Sequence, residues 1–106
     1  MNKEFFRHTV LFWLKEPDNE AHKKTFETSL KRFIDNSEYV QNRHIGKPAN
    51  TNREVIDSTY TYCLAVSFVS KEDQDKYQEE PAHLKFIEES SHLWNKVVVY
   101  DSVLIK

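Results

Sequence analysis

Cysteine occurs once in this 106-residue chain, as Cys63, and glycine once, as Gly46. A lone cysteine excludes an intrachain disulfide and a cysteine-based zinc site. Excess basic charge is also missing. Fifteen Lys and Arg against seventeen Asp and Glu give a net charge of −2 with His neutral, so there is no electrostatic case for a nucleic-acid partner. No apolar run approaches the roughly 20 residues of a membrane-spanning helix. The start, MNKEFFRHTVLFWLKEPD, lacks the length and small-residue cleavage site of a secretory signal, and a cytoplasmic location is expected. Repeats and low-complexity tracts are absent. The length leaves no room for a second core, so one domain over residues 1–106 is expected.

Aromatic residues are plentiful by contrast, at seven Phe, five Tyr and two Trp. In so short a chain they point to a tight aromatic core or an aromatic-lined cavity. Residues 5–14, FFRHTVLFWL, are β-prone and alternate in two registers. Phe6, His8, Val10, Phe12 and Leu14 form one face; Phe5, Arg7, Thr9, Leu11 and Trp13 form the other. Both faces are largely apolar, so both need cover. After a break at Pro17, Phe26, Leu30, Phe33 and Ile34 recur at helical spacing over residues 20–35. Residues 38–47 read as a weaker strand ending near Gly46, and 48–57 as a polar loop. Residues 60–68, YTYCLAVSF, read as a strand with Tyr60, Tyr62, Leu64, Val66 and Phe68 on one face. Ser70 opens a helix through the capping pattern S-K-E-D. A further helix after Pro81 carries Leu84, Phe86 and Ile87. Residues 97–105, VVVYDSVLI, form the last strand.

The order is β-α-β-β-α-β, an α+β, ferredoxin-like arrangement. Its helices cover one sheet face only, which leaves the face with Leu11 and Trp13 bare in a monomer. An exposed apolar face of that size marks a partner surface. Two such sheets packed face to face would give a homodimeric α/β barrel.

Residues 77–86, YQEEPAHLKF, hold the chemistry-bearing pattern. Tyr77 and His83 flank Pro81. Six residues of unbroken helix turn through roughly 600°, which would put the two side chains on different faces. Proline cannot sit inside that helix without losing a hydrogen bond and clashing with the preceding turn. One helix therefore ends near Glu79 and another starts with Pro81 at its first position, a break that re-aims His83 toward Tyr77. At a helix start the positive dipole end disfavours imidazolium and leaves an imidazole able to accept a proton. Imidazole and phenol can move protons and polarise carbonyls near neutral pH without a metal.

HTVLF near the start, the Y-x5-H segment containing P-A-H, the lone glycine before a polar loop, and Trp94 ahead of VVVYD together resemble the stress-responsive dimeric α/β-barrel (Dabb) family over nearly the whole chain. The resemblance implies a ferredoxin-like protomer in a two-fold dimer. Members include plant stress-induced proteins, small antimicrobial proteins and a polyketide cyclase. In the cyclase branch a Tyr and a His line a pocket between sheet and helices and promote an aldol-type ring closure. Tyr77 and His83 fall on those positions, and His8 on the first-strand histidine. Tyr62 stands where that branch has a further pocket histidine, and Glu80 where a histidine before the proline is common.

The expected pocket joins His8, Val10, Phe12, Leu64, Tyr62, Phe26, Leu30, Val97 and Val99, with Tyr77 and His83 at its mouth. His83 would be general base, Tyr77 a donor to a developing enolate, and His8 an orienting group. Each has a plainer reading: His8 as a buried histidine satisfied by one hydrogen bond, His83 as a capping residue, Tyr77 as core. Asp101, among apolar residues of the last strand, is expected to bond a neighbour rather than to catalyse. His22, His44 and His92 read as surface residues. No metal-ligand spacing is present. Haem held through His83 and Trp94 has no motif behind it, so no cofactor is expected. Three classes remain: a cofactor-independent cyclase or isomerase abstracting a proton next to a carbonyl; a non-catalytic binder of a small apolar or aromatic ligand; and a structural stress-response dimer.

Overall fold

A computed structural model describes residues 2–106. Its elements are β1 (Phe6–Leu14), α1 (Glu20–Asp35), β2 (Arg43–Gly46), β3 (Tyr62–Phe68), α2 (Lys71–Glu79), α3 (Pro81–Ser90) and β4 (Trp94–Val103), with a single 3₁₀ turn over Ser91–Leu93 before β4. The strands form one antiparallel sheet in the order β2-β3-β1-β4. This is the ferredoxin-like arrangement, with the second crossover helix split in two at Pro81.

Local chemistry accounts for the element ends. Asn19 caps α1 by accepting the His22 N–H at 3.1 Å, and Ser70 caps α2 by accepting the Asp73 N–H at 3.1 Å. Pro81 stands in the first turn of α3, where its missing N–H costs no helical bond. The second strand is shorter than its sequence pattern. Both Gln41 and Asn42 bond Ser67, the first donating to its carbonyl and the second accepting from its N–H, so two residues face one and regular pairing begins only at Arg43. Gly46 answers a close approach: a Cβ there would lie 2.6 Å from Nε2 of His44, on the same face of β2.

The alternation in β1 sets the layers. Phe6, His8, Val10, Phe12 and Leu14 are all buried beneath the helices. From α1, Phe26, Leu30, Phe33 and Ile34 pack down on them, and α2 supplies Tyr77. In α3 only Phe86 of the expected apolar trio is buried; Leu84 and Ile87 are exposed. α3 meets α1 through Phe86, which stacks on Phe33 at 5.3 Å; Leu84 faces water and Ile87 is left at the border of the helix layer. On the opposite sheet face Leu11, Trp13, Cys63 and Val98 are half-buried. Trp13 is partly covered by its own chain: its Nε1–H donates to Thr59 Oγ1 at 2.9 Å, and Lys96 lies over its ring. Among the described residues, no helix is long and apolar enough to cross a membrane.

Candidate functional site

β1, β4, α2 and α3 surround a cavity of about 140 Å³ between sheet and helices. His8, Val10 and Phe12 of β1 line its floor with Leu64, Val97 and Val99; Tyr77, Gln78, His83, Phe86 and Ile87 close it from the helix side, and Phe33 and Trp94 complete the wall. An apolar cavity of roughly 150 Å³ accommodates a benzene-sized molecule. The mouth lies at β4, where Val97 and Val99 remain 38% and 47% exposed because no strand follows this edge.

The split helix brings the two polar rings together. α2 ends after Glu79 and α3 starts at Pro81, which places the Tyr77 and His83 rings 5.9 Å apart, centroid to centroid. Tyr77 is fully buried, stacked on Phe33 and edge-on to Phe68, so it lies in the inner wall of the cavity rather than at its mouth. Burial, reinforced by the negative charge of Glu80, pushes its hydroxyl pKa up and keeps it a hydrogen-bond donor. His83 is half-buried, its ring 5.3 Å from that of Phe33. Its Nδ1 is shielded from solvent without a hydrogen-bond partner. Desolvation lowers the His83 pKa below its ordinary 6.5 against the opposing pull of the Gln78 carbonyl, and nearby His8 adds to the lowering. Burial is the largest of these influences.

His8 enters from the sheet side, buried, with its ring 5.8 Å from that of Tyr77. The β1–β4 register sets His8 directly opposite Asp101, and His8 Nδ1 lies 2.6 Å from Asp101 Oδ1. An ionised carboxylate can only accept, so Nδ1 carries the hydrogen and a neutral His8 keeps its lone pair on Nε2. Asp101 thus fixes both the ring and its tautomer. The strand alternation carried a signal for this pair, since Asp101 shares its face with Val97 and Val99.

The remaining expected residues lie elsewhere. Phe26 and Leu30 are wholly buried in the core, away from the cavity. Tyr62 stacks on Phe26 at 4.7 Å and points its hydroxyl at Glu27, which accepts its hydrogen bond. Their spacing matched the cavity side of their elements, but they sit toward the other end of the layer, where aromatic rings fill the space. Phe33, Gln78, Phe86, Ile87 and Trp94 line the cavity without having been singled out for it; the helical pattern marked Phe33 and Phe86 only as core. His44 and His92 are exposed, and His22 is half-buried with Glu16 3.7 Å away. Among the described residues, no three His, Cys, Asp or Glu side chains gather where they could hold a metal ion.

Comparison with known proteins agrees with this architecture. No curated protein sequence matches the chain. Solved structures match over nearly its full length. A Dabb family protein with a ferredoxin-like fold from Mesorhizobium loti is 22% identical, with a TM-score of 0.78 over 95% of this chain and 97% of the other. A dimeric ferredoxin-like protein of unknown function from Thermobifida fusca is 15% identical, with a TM-score of 0.75 over 93% and 90%. The hydroxynitrile lyase of Passiflora edulis is 18% identical, with a TM-score of 0.76 over 97% and 95%. At these identities the likeness establishes the fold. The sequence signature of the stress responsive A/B barrel domain, Dabb, matches residues 6–104, and the chain belongs to that family.

Proposed function

We propose that the protein is a homodimer in which each chain binds a small apolar or aromatic carbonyl compound and abstracts a proton next to the carbonyl, as a cofactor-independent cyclase, isomerase or lyase would. The observation that carries this reading is His83: a half-buried imidazole, kept neutral by desolvation, in the wall of an apolar cavity and facing a protonated phenol. His83 takes the α-proton. As the C–H bond breaks, charge moves to the carbonyl oxygen, where the Tyr77 hydroxyl donates to the developing enolate. His8, held by Asp101, turns its lone-pair nitrogen to a hydroxyl of the substrate and orients it. Return of the proton at another atom gives isomerisation; attack of the enolate carbon on a second carbonyl of the same molecule gives a ring. A solved neighbour with this fold is a hydroxynitrile lyase, which supports a lyase-like use of such a site. A porphyrin, a macrocycle of four linked pyrrole rings, exceeds a benzene-sized space, which argues against haem.

The dimer reading rests on the half-buried apolar sheet face around Leu11 and on neighbours described as dimeric. Covering apolar area contributes roughly 25 cal/mol per Å² before the cost of association. Light scattering at micromolar concentration should give twice the chain mass, and Leu11→Glu should give monomer or aggregate.

The chemistry is tested without knowing the natural substrate. Phenylacetone and similar small ketones are incubated with the protein in D₂O, and NMR follows loss of the α-proton. Wild type should accelerate exchange and His83→Ala should not. Binding without exchange would replace catalysis with simple ligand binding.

A further inference from the structure

α2 and α3 are separated by one residue, Glu80, and its backbone bonds to both site residues. The Glu80 N–H donates to the Tyr77 carbonyl at 3.2 Å, and the Glu80 carbonyl accepts the His83 N–H at 3.0 Å. Its backbone is extended, with φ −61° and ψ 141°, as the residue before a proline must be. That restriction breaks the helix but leaves the swing of α3 relative to α2 undetermined, because the extended region spans tens of degrees in ψ.

The side chain supplies what the backbone lacks. Glu80 does not cap α3 with its carboxylate. Instead Oε1 accepts the Ser37 hydroxyl at 2.6 Å and Oε2 accepts the Glu38 N–H at 2.9 Å, both on the segment leaving α1. Ser37 Oγ in turn accepts the Tyr39 N–H at 3.3 Å. Two bonds to two oxygens of one planar group define an orientation as well as a position, and bonds to an ionised acceptor are the stronger kind. We infer that Glu80 is a positioning residue, whose carboxylate fastens the α2–α3 joint to the Ser37–Glu38 segment and so sets the separation and tilt of Tyr77 and His83. The inference rests on the site reading above only for its consequence in turnover; the geometric claim stands alone.

The deciding measurement needs no ligand. The His83 imidazole C–H resonances carry ring-current shifts from Phe33 and Tyr77, whose centroids lie 5.3 Å and 5.9 Å away. In Glu80→Ala these resonances should move toward those of a free histidine. Glu80→Gln keeps one acceptor oxygen and should recover part of the displacement. Ser37→Ala removes one of the two anchors from the far side and should move the same resonances in the same direction. It also decides the matter should Glu80→Ala fail to fold. Resonances unchanged in the folded variants, alongside a lower melting temperature, would overturn the inference and leave Glu80 a plain structural tie. In the α-proton exchange assay, Glu80→Ala should lower kcat on the order of 10²-fold with KM little changed, the cost of a misplaced base. If wild type shows no exchange at all, the proposed chemistry fails while the resonances still decide the role of Glu80.

Discussion

The two ends of the space between sheet and helices are built from similar rings and differ in what those rings do. At one end Phe26 is wholly buried, stacked on Tyr62 at 4.7 Å and met edge-on by Phe12 at 5.0 Å and Phe86 at 5.8 Å. At the other, Tyr77 stands 5.8 Å from His8 and 5.9 Å from His83 beside a cavity, and the adjoining edge strand leaves Val97 and Val99 open to water. Leu30, one turn along α1 from Phe26, is wholly buried as well. The open end has β4 for a wall and nothing beyond it. Aromatic richness alone therefore does not distinguish core from cavity; the number of elements that meet behind the rings does.

The sharpest test sets one variant from each end against the other. Phe26→Ala should destabilise the fold by about 3–5 kcal/mol in urea unfolding, since the cavity it leaves cannot collapse. His83→Ala should change stability by less than about 1 kcal/mol yet lower α-proton exchange about 10²–10⁴-fold. Reversed outcomes would erase the distinction between the ends. Tyr77→Phe keeps the stacked ring and removes one donor. It should lower exchange on the order of 10²-fold, with a stability change within about 1 kcal/mol by thermal unfolding.

The smallest effect is a pH dependence. Desolvation depresses the His83 pKa in the folded state, so as pH falls below 6.5 the unfolded chain takes up a proton that the folded chain still refuses. Stability should decline from pH 6.5 down through the folded pKa, and His83→Ala should flatten that part of the curve. Exchange should keep its unprotonated base to a lower pH than a free histidine would allow. A profile whose acid limb lies above 6.5 would contradict the burial argument.

Much of this was legible in the residues. The alternation in β1 grouped His8 with Phe6, Val10, Phe12 and Leu14, because a strand has only two faces; with both parities largely apolar, packing decided which of them the helices cover. Pro81 marked the joint between the helices, because a proline ring and a missing N–H cannot be placed inside one. The packing of Phe26, Leu30 and Tyr62 was not legible. Their spacing gave the side of each element and left open how far along the layer they sit. Nor was the outward turn of Leu84, which depends on how α3 leans on α1.

The sequence by itself determined the element order, which β1 residues share a face and the break that turns His83 toward Tyr77, since these follow from local periodicity and backbone sterics. Only the tertiary structure decided that His8 meets Asp101, that Glu80 reaches Ser37, and that one end of the layer is filled while the other encloses a cavity. The paired residues stand 93 and 43 positions apart. Contacts at such separations are set by strand register and helix packing, which no local pattern encodes.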